Sequence, residues 1–329
     1  MSVTLYEYMN FPGKKDFELN PTLKEELEKA RKSGDTEDVL DVLIMEPLGM
    51  IMARLFIKLR MTPNTVTIIS MFFGIVGGIL LYPTDIRINL VGILLEIFAA
   101  ILDCSDGQVA RLTNTRSQLG RILDGVSDGI CFVAIYFCLG LRLMREPIPF
   151  AGGTPWGFGI WPLVAVCGLI CHQNQCRMAD YYRNVHLYFL NNAYGSELSR
   201  SSAIRRELGE LSDDTSALEK FFLRFYLTYT AAQEARTPKL QKLLANIEAN
   251  GGVVPEEMAT AYVTASRRYI NLTNLLTYTL RACALYVFVL FRIPVFYFPF
   301  VIIVLGLMER AMVKNYERIA ESLLPEDAV

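Results

Sequence analysis

The sequence predicts an all-α protein: a six-span transmembrane helical bundle with an N-terminal interfacial amphipathic helix and a cytoplasmic helical insert. Three observations predict it. Apolar residues make up 52% of the 329 positions and the mean hydropathy is +0.30, above what soluble domains carry. Six apolar stretches reach the roughly 20 helical residues that cross a bilayer core of about 30 Å. The basic residues gather on one side of those stretches. Lys plus Arg is 32 against 34 for Asp plus Glu, a net charge of −2, which argues against a disordered chain and a basic nucleic-acid binder. The seven cysteines lie in apolar stretches with no Cys-x-x-Cys pair, so they read as small hydrophobes and not as a disulfide or zinc framework.

Residues 1–61 form a cytoplasmic N-terminal segment. Its start is polar (Lys14-Lys15-Asp16, Lys24-Glu25-Glu26), and without a basic start followed by an apolar core no cleaved signal peptide is expected. Between Pro47 and Arg60, Met50, Ile51, Leu55, Phe56 and Leu59 recur at helical spacing, with Arg54, Lys58 and Arg60 on other faces. That pattern predicts a helix lying in the headgroup plane. Residues 62–180 hold the first four spans, Thr65–Tyr82, Ile88–Leu112, Leu119–Leu143 and Trp156–Met178. Residues 181–268 are a polar insert carrying Arg205-Arg206-Glu207 and Asp213-Asp214, whose apolar Leu218, Phe221, Phe222 and Phe225 predict helices packed on the membrane face. Residues 269–329 hold the last two spans, Ile270–Phe291 and Val295–Val313, and a tail. Arg54, Lys58, Arg60, Arg111, Arg116, Arg121, Arg177, Arg183, Arg310 and Lys314 flank one face. The positive-inside tendency makes that face, with both termini, cytoplasmic.

Acids inside spans are expensive and call for a function. Asp103 and Asp106 on the second span are three apart, and Asp124 and Asp128 on the third are four apart, so each pair shares a helix face. The hairpin turns near Thr115–Arg116, with Asp103 level with Asp128 and Asp106 level with Asp124. All four carboxylates are therefore expected to meet at two adjacent levels near the cytoplasmic turn. Such a cluster needs neutralising charge. Oxygen-only ligands suit hard divalent cations, and two Mg²⁺ or Mn²⁺ ions would clamp a diphosphate. Gly107, Gly120, Gly125 and Gly129 lie among the acids and leave room for close packing or a bulky ligand.

Asp103-x2-Asp106-Gly107-x2-Ala110-Arg111-x8-Gly120-x3-Asp124-x3-Asp128 resembles the complete signature of the CDP-alcohol phosphotransferase family. Thr62-Pro63-Asn64, entering the first span, also resembles that family. The resemblance implies a six-helix integral membrane enzyme, often a homodimer, with a cavity open to the cytoplasm. It implies transfer of a phosphoryl-alcohol from a CDP-linked donor to a hydroxyl with release of CMP. By motif position it makes Asp103, Asp106 and Asp124 the principal metal ligands. Asp128 would complete the metal site and act as general base, and Gly107, Ala110, Arg111 and Gly120 would contact or make room for the CDP moiety.

Six spans favour CDP-diacylglycerol as donor to a small polar alcohol, inositol or inositol phosphate first. The alternative is CDP-ethanolamine or CDP-choline meeting diacylglycerol. The fourth span ends His172-Gln173-Asn174-Gln175-Cys176-Arg177-Met178-Ala179-Asp180, resembling the Ser-Tyr-x-Lys-Ala-Arg-Ala-Glu stretch of members that use phosphorylated acceptors. Arg177 and Asp180 match its Arg and Glu, whereas Gln175 replaces Lys. Arg177, Arg183 and His172 are the acceptor-binding candidates; His172 equally fits a hydrogen-bonded structural role. Glu96 is expected to line the cavity or to pair with Arg281. A cation-coupled transporter is the competing class, and a lipid-binding scaffold a third; neither calls for this glycine spacing.

Overall fold

The computed structural model describes residues 41–191, 198–211 and 216–325, apart from the side chains at 118, 119, 121, 218 and 219. The first 40 residues of the N-terminal segment, the Asp213-Asp214 pair and the side chains of Arg121 and Leu218 lie outside the described residues.

The described chain is helical. A π-helical turn over Asp41–Met45 leads into α1 (Glu46–Lys58). One face of α1 buries Ala53 and Phe56 against Val66, Leu102 and Val109. Its other face exposes Leu48, Ile51, Leu55 and Leu59. Gln108 Nε2 donates to the Glu46 carbonyl at 3.0 Å and fixes the docking of α1.

Helix α2 (Pro63–Ile79) begins as its sequence dictates. Thr65 N donates to the Thr62 hydroxyl, and Pro63 occupies the first turn, where a missing N–H costs nothing. Helices α3 (Ile86–Leu112) and α4 (Gln118–Leu143) form the expected antiparallel hairpin. Ser117 caps α4 by accepting from Gly120 N at 3.0 Å. Asn114, at φ 54°, takes the left-handed position in the turn, a conformation asparagine tolerates better than most residues. Helices α2 and α3 cross almost backbone to backbone: a Cβ on Gly77 would lie 2.9 Å from the Gly92 carbonyl oxygen. Ser70 Oγ donates across the same crossing to the Ala99 carbonyl at 2.9 Å.

The fourth predicted span is a helix in pieces: α5 (Ile160–Ala165), a π-helical turn over Val166–His172, and α6 (Gln173–Leu190). The insert supplies α7 (Ser201–Glu210), α8 (Ala217–Glu234), α9 (Pro238–Ala249) and α10 (Glu256–Ser266). The fifth predicted span, read as one helix, is divided into α11 (Ile270–Leu275) and α12 (Tyr278–Leu290). The Thr277 hydroxyl donates to the Asn274 carbonyl at 2.6 Å at the break, a side-chain bond that competes with the helical ladder. After a short 3₁₀ turn come α13 (Tyr297–Pro299), a π-helical stretch over Phe300–Leu305 and α14 (Gly306–Ser322).

Among the described residues, three helical stretches are long and apolar enough to cross a membrane: Ile86–Leu112, Ile122–Leu143 and Pro294–Ser322. Pro63–Ile79 and Tyr278–Leu290 are shorter apolar helices. Ile68, Phe72, Leu94, Val133 and Phe137 stand exposed on these helices. Such an outward apolar surface is expected where lipid replaces water as the solvent.

The insert packs on the polar extensions of α6 and α14. The Glu317 carboxylate accepts from Lys239 N (2.9 Å) and Leu240 N (3.2 Å), capping α9. Arg236 pairs with Glu309, and Lys239 with Glu321. The rings of Tyr182 and Tyr316 stack at 4.1 Å, and those of Phe189 and Tyr262 at 3.9 Å. Phe221 and Phe225 of α8 stay exposed.

Candidate metal and donor site on the α3–α4 hairpin

The hairpin gathers Asp103, Asp106 and Asp124, each offering a carboxylate oxygen within 4.8 Å of the others. Asp103 and Asp106 are less than a helical turn apart on α3, and Asp124 faces them from α4 at nearly the same distance from the turn. Asp106 is buried, whereas Asp103 and Asp124 are half-buried. A cation with ligands at about 2.0–2.6 Å spans oxygen pairs up to about 5 Å apart. The trio therefore fits a hard divalent ion, and its all-oxygen donor set suits Mg²⁺ or Mn²⁺ over softer metals.

Asp128 is not part of this trio, although all four acids are expected to meet. Asp128 is level with Asp103 in the hairpin, but four residues on an α-helix turn about 400°, so its side chain is rotated about 40° from that of Asp124. Asp128 is exposed, and Glu96 and Cys176 lie within range of its charge.

The sequence reading missed Thr67. Its hydroxyl, one turn into α2, donates to Asp106 Oδ2 at 2.5 Å and lies 3.1 Å from the Pro63 carbonyl oxygen. A hydroxyl in an apolar helix carries no signature; its helical offset from the Thr62-Pro63-Asn64 entry was the available clue. Orienting partners of metal ligands typically contribute 10- to 100-fold in affinity. Thr67→Val should therefore weaken Mn²⁺ binding by about that factor in calorimetric titration. An unchanged affinity would remove Thr67 from the site.

The small residues divide into two groups. A Cβ on Gly125 or Gly129 would meet nothing within 4 Å, so these positions border open space beside the acids. A Cβ on Gly107 would lie 3.2 Å from Arg111 Nη1, which shows the guanidinium folded over that glycine. Gly120 lies in the first turn of α4, its N–H donating to the Ser117 cap, and Ala110 is half-buried on α3. Beyond the turn, Ile57, Arg60, Thr62, Asn64, Thr113 and Ser117 help line a cleft of about 360 Å³.

On α6 the three acceptor candidates lie in different surroundings. His172 is buried, with Nδ1 3.1 Å from the Tyr136 hydroxyl and its ring 4.2 Å from that of Phe132. Arg177 is half-buried, with its guanidinium over the Tyr229 ring at 5.1 Å, and Arg183 is half-buried further along. Gln175 is fully buried: its Nε2 donates to the Val301 carbonyl and its Oε1 accepts from Arg281 Nη2, both at 2.8 Å. The residue replacing the motif's Lys is thus a tie between helices. Among the described residues Arg281 makes no ion pair with Glu96, whose Oε1 is buried without a hydrogen-bond partner. Gln175 has taken that guanidinium.

Residues 60–174 match the family model for CDP-alcohol phosphatidyltransferase. The chain is 37% identical over 101 residues to a phosphatidylinositol phosphate synthase of Corynebacterium glutamicum, covering 30% of this chain and 43% of that protein. It is 30% identical over 89 residues to a bifunctional IPC transferase and DIPP synthase of Thermococcus kodakarensis, covering 27% and 20%. It is 33% identical over 67 residues to a putative cardiolipin synthase of Mycobacterium tuberculosis, covering 20% and 28%. The aligned stretches span less than half of each relative's length. The acid trio and its glycines fall inside the matched region, and with the complete motif they make residues 60–174 similar to the CDP-alcohol phosphatidyltransferase family.

Proposed function

We propose that the chain transfers a phosphatidyl group from CDP-diacylglycerol to the hydroxyl of a small polar alcohol of the inositol class, releasing CMP. The convergence of Asp103, Asp106 and Asp124 beside the open space at Gly125 and Gly129 carries this reading. Two divalent cations, Mg²⁺ or Mn²⁺, would supply charge for the donor's pyrophosphate and for its departing CMP oxygen. Asp103, Asp106 and Asp124 would hold a cation, with the Thr67 hydroxyl keeping Asp106 aimed, and Asp128 would complete the metal site. Gly107, Ala110, Arg111 and Gly120 form the donor's bed, with Arg111 over Gly107 within reach of a phosphate. The exposed Asp128 takes the proton of the acceptor hydroxyl, whose oxygen bonds to phosphorus as the anhydride bond to CMP breaks.

The wider architecture follows from the same reading. Six spans cross the membrane, α1 lies in the interface on its exposed leucines and isoleucine, and the insert (residues 181–268) is a cytoplasmic module. The Arg and Lys residues flanking the trio's end support a cytoplasmic site and cytoplasmic termini. The family resemblance supports a homodimer. The similarity to a phosphatidylinositol phosphate synthase supports the inositol class.

The test incubates purified chain and Mn²⁺ with labelled CDP-diacylglycerol and a panel containing inositol, inositol phosphate, glycerol phosphate and serine, resolving products by mass. CMP and a phosphatidylinositol-type lipid are expected, and a chelator should abolish both. Product from CDP-ethanolamine and diacylglycerol alone would overturn the donor assignment. Metal-dependent ion flux in vesicles without any CMP would point to a transporter.

A further inference from the structure

Helix α8 of the insert holds Arg177 at two points. The Tyr229 ring lies under the guanidinium at 5.1 Å. One helical turn on, Gln233 Nε2 donates to the Arg177 carbonyl at 2.9 Å. Positions 229 and 233 share a face of α8, so the insert grips both the head and the backbone of this residue.

The type of grip matters. A ring beneath a guanidinium attracts the cation through its π face and leaves the in-plane N–H donors unspent. A carboxylate would have consumed those donors and cancelled the charge. Arg177 Nε is buried with no hydrogen-bond partner, and among the described residues no carboxylate forms an ion pair with Arg177. Burial drives the Tyr229 hydroxyl well above its ordinary range, so the ring remains neutral. Cys176, adjacent to Arg177, lies within range of both the Asp128 charge and Tyr229. This turn of α6 therefore lies on the Asp128 side of the bundle.

We propose that Tyr229 is a positioning residue that holds Arg177 charged and open-handed as the ligand of an anionic, phosphate-bearing acceptor. The assignment rests on the reaction proposed above and narrows its acceptor class. It also gives the insert a role: α8 closes the acceptor side of the site from outside the family-matched region, which ends at residue 174.

Wild-type chain, Tyr229→Leu, Tyr229→Phe and Arg177→Gln are assayed for CMP release with CDP-diacylglycerol and saturating Mn²⁺, using inositol phosphate and inositol as paired acceptors. Losing the ring face should raise the KM for inositol phosphate about five- to tenfold in Tyr229→Leu. Its KM for inositol and for the donor, and its kcat, should stay within about twofold. Tyr229→Phe should match wild type, because the ring face is retained. Arg177→Gln should show the same selective loss without altering the insert, which covers the case of a Tyr229→Leu chain that fails to fold. Equal losses with both acceptors, a raised donor KM, or Tyr229→Phe behaving as Tyr229→Leu would overturn the assignment. Wild-type protein releasing no CMP with either acceptor would instead overturn the reaction, and this assignment with it.

Discussion

Asp106→Asn should lower CMP release by about 10³-fold, roughly 4 kcal/mol of barrier. Asparagine preserves the shape of the side chain and can still accept from the Thr67 hydroxyl, so packing around this buried position is retained. The substitution removes one of the three charges that gather within 4.8 Å. A hard cation then loses an anionic oxygen ligand and gains only a neutral one. Membrane insertion and the elution profile in detergent should match wild type, and Mn²⁺ affinity in calorimetric titration should fall steeply. Activity within tenfold of wild type, with the protein intact, would exclude Asp106 as a metal ligand.

Asp128→Asn should cost about 10²- to 10⁴-fold in kcat, the range of a lost general base. The reason differs from that for Asp106. Asp128 is not among the three gathered carboxylates and is exposed, so it is accessible to an incoming hydroxyl. The two variants should therefore separate: Asp128→Asn loses turnover while the trio keeps its Mn²⁺ affinity, whereas Asp106→Asn loses both. Expression and membrane insertion should be unaffected in each. Retained turnover in Asp128→Asn would exclude it as the base, and loss of tight metal binding would move it into the ligand set beside the trio.

Much of the hairpin was legible because acids in an apolar window stand out. Asp103, Asp106 and Asp124 are costly in a membrane helix, and helical geometry alone puts them near one level. The turn near Thr115–Arg116 and the threonine-proline entry to α2 were equally legible. The separation of Asp128 from the trio was not, because equal depth in a hairpin does not fix which way a side chain turns.

Other features escaped because they depend on partners distant in the chain. Thr67 gained its role from Asp106, 39 residues away. The Gln175–Arg281 tie joins positions 106 apart and occupies the guanidinium that was one of two alternatives for Glu96. The fifth span read as one apolar run, yet one threonine hydroxyl turned toward the backbone marks a break within it. The insert's contribution was hidden in the same way: Tyr229 looks like an ordinary aromatic until α8 folds back onto Arg177.

The central claim is that three carboxylates on two neighbouring helices seat cations that grip a pyrophosphate. Diffraction from crystals soaked with Mn²⁺ and CDP, recorded at the manganese absorption edge, tests it most directly. An anomalous peak bounded by Asp103, Asp106 and Asp124, with diphosphate oxygens on its open side, is the predicted result. Manganese bound elsewhere, or those three side chains turned apart toward lipid, would contradict it.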